Sequence, residues 1–221
     1  MNLSELTDAA AQMAEDPAKS RYSGLYTTAL NLAQQQFVLD SKCLWKYASY
    51  TISANDASYV LPTDFLFEKT CVLNGLPLQP ASRFELTRQN TGSRWDQLTG
   101  TPRCYIIDPE ASKDELLLYP IPVDADAGKD LVLTYYAYPL DMVNPTDLPL
   151  NGNLLLAQFH VGIAAWAAWY LKQAESMTVE VQAKKKDLLQ IYNDRVSQAT
   201  DTFANTITEP LRMRGVRNYG N

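Results

Sequence analysis

The chain has 221 residues, 46% apolar and 20% charged, a balance typical of a folded protein with a sizeable core rather than a disordered chain. Its 19 lysines and arginines face 25 acidic residues, for a net charge of −6. Because an acidic surface repels phosphate, this charge argues against a protein that grips nucleic acid, although DNA can slide past such a surface.

The first part of the chain is predicted to be helical. Asn2 and Glu5 have the spacing of a capping box, and the apolar positions that follow predict a short helix over residues 3–15. A proline then interrupts the pattern. Seven apolar side chains next repeat on one face and predict a longer helix over residues 18–39.

The middle of the chain has the pattern of a β domain, with short aromatic and β-branched runs between turn residues. Asn74-Gly75 separates two of these runs and predicts a hairpin, because both residues tolerate the positive φ of a type I′ turn. Residues 82–89 predict one short helix. The last two strands are expected to pair across an acidic loop, residues 123–130. The predicted strands are 47–52, 58–61, 68–73, 76–79, 103–108, 115–120 and 131–138.

Helical periodicity returns near the C-terminus and predicts helices over residues 153–173 and 178–205. The chain from Glu209 onward has three arginines and no periodicity, so we expect an extended tail. The predicted fold is therefore α+β: a bundle of long helices interrupted by an inserted antiparallel β domain. The predicted parts are bundle helices at 1–45, a β-rich domain at 46–140, bundle helices at 150–205 and a tail at 206–221.

The segment Leu154–Leu171 is apolar and just long enough to cross a bilayer. It contains Gly162 and five alanines, and the polar stretch that follows it lacks the pattern of a basic flank. These features favour a helix buried in a protein core or at a subunit contact, so we expect no membrane association.

Residue types that carry catalysis or bind metals are sparse. The lone histidine, His160, lies in the apolar segment, which favours a core or interface role over a general base. The three cysteines, Cys43, Cys71 and Cys104, have no metal-ligand spacing and are expected to be buried thiols. The acidic loop lacks the glycine and late glutamate of a calcium loop and predicts a solvated turn. We therefore expect no enzymatic activity, no metal and no cofactor.

The tail has two interpretations. It is either a frayed terminus or an arm whose apolar side chains and guanidinium groups dock into pockets of another protein. The density of such side chains favours an arm. The anchoring residues are Leu211, Arg212, Met213, Arg214, Val216, Arg217 and Tyr219.

A succession of motifs runs through the middle of the chain. In order, they are Tyr59–Leu66 (YVLPTDFL), Val72–Leu78 (VLNGLPL), Arg94-Trp95, Thr99–Ile107 (TGTPRCYII) and Leu116–Pro122 (LLLYPIP). Their order and spacing resemble the head-to-tail adaptor (connector) proteins of tailed bacteriophages. The resemblance covers residues 18–175, most of the chain.

This resemblance implies a structural protein of the virion neck, assembled in the host cytoplasm as a homo-oligomeric ring of about twelve copies beneath the portal. It implies that the C-terminal segment docks on the portal protein, that a tail or nozzle protein attaches to the other face, and that DNA passes through the lumen without sequence-specific binding. In a ring each subunit buries two faces, so we predict that Trp166, Trp169, Tyr170 and Tyr192 lie at a subunit contact.

Two other functions compete with the structural adaptor. One is a cell-wall-degrading virion hydrolase that uses acidic residues, whose separation cannot be deduced from sequence. The other is a DNA-packaging accessory protein. The sparse catalytic residue types argue against the first, and the net charge of −6 argues against the second.

Overall fold

A computed structural model describes residues 1–89, 94–107, 115–175 and 178–207, without the side chains of residues 204–207. The chain divides into two compact units. The helical unit contains Met1–Leu44 and the chain from Pro139 onward, and the β unit contains Trp45–Tyr138. Helices build the first unit and strands dominate the second, so the predicted α+β class is confirmed.

Five α-helices lie in the described residues, and all except the third belong to the helical unit. They are α1 (Leu3–Met13), α2 (Tyr26–Ser41), α3 (Arg83–Gln89), α4 (His160–Leu171) and α5 (Val179–Ile207). The predicted capping box of α1 is confirmed. The Glu5 N–H donates to the Asn2 side-chain oxygen at 2.9 Å, and the Asn2 N–H donates to the Glu5 carboxylate at 3.0 Å.

Helix α2 begins at Tyr26, so the predicted start at residue 18 is wrong. The Asp16 carboxylate accepts hydrogen bonds from the N–H groups of Ser20 and Arg21, each at 3.0 Å, and from the Tyr26 hydroxyl at 2.9 Å. These bonds hold residues 16–25 in turns. A side-chain acceptor that satisfies backbone donors in this way competes with helix formation.

Helix α4 is the centre of the helical unit, where it packs against α1, α2 and α5. Its buried face is built largely from small residues, which let the neighbouring helices approach closely. At Gly162 the two helices approach closely, and an added Cβ would lie 2.8 Å from the Cβ of Arg195 on α5. A short 3₁₀ segment, Leu154–Phe159, precedes α4, so the predicted single helix from residue 153 is only partly α-helical.

The β unit contains eight strands in the described residues. They are β1 (Trp45–Thr51), β2 (Ser58–Val60), β3 (Phe65–Leu73), β4 (Leu76–Pro77), β5 (Gln79–Pro80), β6 (Cys104–Ile107), β7 (Glu115–Tyr119) and β8 (Asp130–Ala137). The predicted hairpin joins β3 to β4 and is confirmed. Asn74 and Gly75 have φ values of 46° and 81°, which are the positive values that the turn requires.

Two four-stranded sheets form the β unit, with strand orders β1-β8-β3-β4 and β2-β7-β6-β5. The first sheet is antiparallel, as predicted, and the second includes one parallel pair, β5 with β6. Alternate side chains of both sheets meet in one apolar core, for example Leu131 and Leu133 of β8 with Leu116 and Leu118 of β7.

The predicted pairing of β7 with β8 is wrong. Strand β7 pairs with β2 and β6, whereas β8 pairs with β1 and β3 in the other sheet. Both edges of β7 are therefore occupied before the chain reaches β8. The loop between them forms a 3₁₀ turn at Asp124–Asp126 that carries the chain from one sheet to the other.

Candidate assembly surface on the helical unit

An aromatic stripe lies on the outward face of α4. It consists of Trp166, Trp169 and Tyr170, which share one helix face because they are three and four residues apart. The Trp166 and Tyr170 rings stack with centroids 5.5 Å apart and planes 6° apart, and the Trp169 ring lies 5.6 Å from Trp166. Tyr170 is 42% exposed and both tryptophans are partly exposed, so the three rings present aromatic surface to solvent.

The opposite face of α4 is apolar and buried. The stretch Leu154–Ala174 is long and apolar enough to cross a membrane by length and composition, but more than half of it is buried inside the protein. Ile163, Ala164 and Ala168 are fully enclosed by the neighbouring helices. The segment therefore lies in the core of the helical unit, as its sequence predicts.

Tyr192, the fourth residue of the predicted subunit contact, lies inside the helical unit. It is 3% exposed, and its hydroxyl donates a hydrogen bond of 2.5 Å to the Asp40 carboxylate. Burial and the neighbouring carboxylate both raise the pKa of Tyr192. Its ring packs edge-to-face against Phe37 at 6.1 Å and braces α5 against α2. This position leaves Tyr192 little surface with which to meet a second copy.

The predicted portal-binding residues lie outside the described residues. All seven, Leu211, Arg212, Met213, Arg214, Val216, Arg217 and Tyr219, follow residue 207. Helix α5 leads to this segment, and Phe203 near its end lies 6.4 Å from Phe159 between ring centroids.

His160 occupies a core position, as its apolar neighbours predict. The Met1 amine donates a 3.0 Å hydrogen bond to Nδ1 of His160, and the side chain is almost fully buried. Burial, together with the positive charge of the Met1 amine, lowers the pKa of His160 to about 4. The imidazole is therefore neutral at pH 7 and packed in the bundle.

The acidic loop differs from the predicted solvated turn at one residue. Asp126 is fully buried, and the ammonium of Lys129 donates to its carboxylate at 2.6 Å. Burial raises the pKa of Asp126, but the hydrogen bond from Lys129 and further bonds lower it more, so the net pKa is below its usual value. Asp126 anchors the turn that links the two sheets. In the described residues, no group of three or more histidine, cysteine, aspartate or glutamate side chains is placed to hold a metal ion.

Three consecutive lysines on α5, Lys184–Lys186, have the spacing along a helix that predicts a solvated face, but they are not uniformly solvated. Lys185 is 8% exposed, and its ammonium has no hydrogen-bond partner within the structure described. Lys184 lies 3.9 Å from Glu15 of the turn after α1. Lys172 is nearly fully buried and pairs with Glu15 and Glu175 at 3.0 and 3.3 Å. Sequence spacing did not reveal this ionic cluster, because it joins distant segments.

A family model described as SU10 adaptor protein matches residues 1–214, nearly the whole chain. The chain belongs to the SU10 adaptor protein family. This is a bacteriophage adaptor family, so the predicted resemblance to phage adaptors is confirmed at that level. No curated protein matches the sequence.

Membership in the SU10 adaptor family marks the protein as a structural adaptor of a phage particle. The geometry is consistent with that role. The helical unit presents the aromatic stripe of α4 on its surface, while the only histidine of the chain is packed in the core. An aromatic surface of this kind is typical of protein–protein contacts.

Proposed function

We propose that this SU10 adaptor joins the head of a tailed phage to its tail, as a ring of about twelve copies beneath the portal in the virion neck. The observation that carries the proposal is the family match over residues 1–214. The ring would assemble in the host cytoplasm, bind the portal protein on one face and a tail or nozzle protein on the other, and surround the path of the DNA.

The aromatic stripe supports a subunit contact in such a ring. The rings of Trp166 and Tyr170 stack on α4 with the tilted ring of Trp169 beside them, and aromatic side chains are enriched at protein interfaces. A ring buries two different faces of every subunit, so one partner surface must lie elsewhere on the chain. Tyr192 would need a shift of α5 before it met a neighbour, since its hydroxyl is bound to Asp40.

The charge supports passage of DNA through the lumen without sequence readout. The chain carries a net charge of −6, and a wall of that sign does not retain phosphate by counterion release. Binding to DNA would therefore be weak and unselective, as a conduit requires.

The proposal is tested by mixing the purified full chain with the portal protein of the same phage and examining the product by native mass spectrometry and electron microscopy. We expect a discrete complex with about one adaptor per portal subunit. A chain that lacks residues 211–221 should bind the portal more weakly, because it loses the predicted docking arm. A protein that stays monomeric with and without portal would overturn the proposal.

The subunit contact is tested separately with Trp169→Asp. A charge in the centre of an apolar interface is desolvated without a partner, so we expect loss of rings on the portal. Asn193→Asp, which adds the same charge to the exposed face of α5, is the matched control and should assemble normally. Rings formed by Trp169→Asp with unchanged stability would show that the stripe lies outside the contact.

A further inference from the structure

The connector that leads into α4 forms a groove on the helical unit, lined by both apolar and polar residues. It has a volume of about 460 Å³ and is lined by residues between Leu140 and Gly152, among them Met142 and Leu148. Large apolar side chains along this connector and in the following 3₁₀ segment are 46–84% exposed, namely Leu140, Val143, Leu148, Leu154 and Leu155. Exposed apolar surface clustered in one segment of chain usually marks a binding site.

The groove is also acidic. Asp141 and Asp147 both line it, and residues 139–158 contain no lysine or arginine. Asp147 accepts the N–H groups of Val143 and Asn144 at 2.7 Å each, and these bonds lower the pKa of Asp147. Its charge is therefore held in place at neutral pH. An occupant of this groove would combine apolar side chains with positive charge.

The C-terminal segment, residues 208–221, has this composition. It contains three arginines and one glutamate, interleaved with Leu211, Met213, Val216 and Tyr219. Helix α5, which leads to this segment, packs against the 3₁₀ segment Leu154–Phe159, and that segment begins two residues after Gly152. Fourteen residues reach up to about 47 Å when extended, so the segment is long enough to lie along the connector.

We propose that in the free protein the C-terminal segment 208–221 docks into the groove at 140–152 of its own chain. The apolar side chains cover the exposed leucines, and the arginines face Asp141 and Asp147. A segment on the same short tether has an effective concentration of about 1 mM, so an intrinsic Kd of about 0.1 mM keeps the groove occupied in about nine chains of ten. This inference goes beyond the adaptor role, because it concerns where the segment lies before any portal is met.

Hydrogen–deuterium exchange of the full-length chain, measured without portal by mass spectrometry, tests the proposal. The double variant Arg212→Glu, Arg214→Glu reverses charge in the segment without touching the groove. Amides of residues 140–155 should exchange about tenfold faster in this variant than in the wild type, which is the ratio set by the occupancy above. Arg88→Glu, Lys186→Glu makes the same charge change on exposed helix faces and should leave these amides unchanged.

A mixture of two variants decides whether the segment comes from the same chain. Leu140→Asp alters the groove but keeps the segment, and the double arginine variant keeps the groove but alters the segment. Peptides that contain residue 140 differ in mass between the two variants, so the exchange of each variant is measured separately in the mixture. If the segment docks within its own chain, the amides of residues 140–155 exchange as fast in the mixture as in each variant alone. Slower exchange in the mixture of the peptide that contains Leu140 would show that the segment comes from a second copy. Equal exchange of residues 140–155 in the wild type and in the double arginine variant would show that the segment does not occupy the groove. Either result overturns the proposal.

Discussion

His160 shows how burial fixes the protonation state of a single side chain. Its ring lies in the apolar bundle with Nδ1 bonded to the Met1 amine, and Nε2 has no hydrogen-bond partner in the part of the chain that the structure describes. Protonation would place a charge in this environment, which is why the pKa of His160 falls to about 4. The same group titrates near 6.5 in an unfolded chain.

This difference in pKa predicts an acid-sensitive stability. The unfolded chain binds a proton at higher pH than the folded chain, so the contribution of His160 is fully present above about pH 6.5 and is lost as pH falls toward 4. We expect the wild type to lose about 2 kcal/mol relative to His160→Asn between pH 7 and pH 5. Urea unfolding of both proteins at the two pH values measures this, and carboxylate effects cancel in the comparison. Parallel pH dependences of the two proteins would contradict it.

The environment of a side chain could be predicted only where residues close to it in sequence form that environment. The core position of His160 follows from the apolar residues on both sides of it in sequence. Tyr192 and Lys185 are different, because what they meet is contributed by distant elements: Asp40 of α2 accepts from Tyr192, and Lys185 is covered although its neighbours in sequence are charged. Spacing along a helix defines a face, but not what packs against that face.

The close contact of α4 with α5 depends on the absence of a side chain at Gly162. Gly162 allows Cβ and Cγ of Arg195 to approach to distances that a β-carbon at position 162 would not tolerate. Gly162→Ala should therefore destabilise the protein by about 1–2 kcal/mol, since overpacking outweighs the better helix propensity of alanine.

Thermal or urea unfolding of Gly162→Ala checks this expectation, and a double-mutant cycle identifies the cause. In an Arg195→Gly background the clashing atoms are gone, so the same alanine should be neutral or stabilising there. If the cost of the alanine were equal in both backgrounds, the α4–α5 contact would not be its source.

Elements could be predicted where local chemistry defines them. The Asn2–Glu5 capping box located the start of α1, and Asn74-Gly75 located the β3–β4 hairpin. The start of α2 was missed because the Asp16 carboxylate holds the preceding turns. The partners of β8 were predicted wrongly because strand pairing depends on residues distant in sequence, and β7 and β8 belong to different sheets.

At the scale of the whole molecule, the β unit has its own apolar core, to which both sheets contribute. We therefore expect residues 45–138 to fold when produced alone, with a cooperative thermal transition and the circular dichroism of a β protein. Leu133 is fully buried in that core, so Leu133→Ala should destabilise the isolated fragment by about 2–5 kcal/mol. A fragment without a cooperative transition, or one indifferent to Leu133→Ala, would contradict an independent unit.

The pairing of β1 with β8 carries a consequence for how such proteins diversify. Trp45 is the first residue of the β unit and lies opposite Tyr136, two residues before its last, so the points of entry and exit are lateral neighbours in one sheet. Neighbouring antiparallel strands are about 5 Å apart. Any domain whose two ends are spaced like adjacent strands could therefore replace the β unit by recombination, without a change in the helices that flank it. Lineages of this family should accordingly exchange the middle of the chain more freely than its two ends.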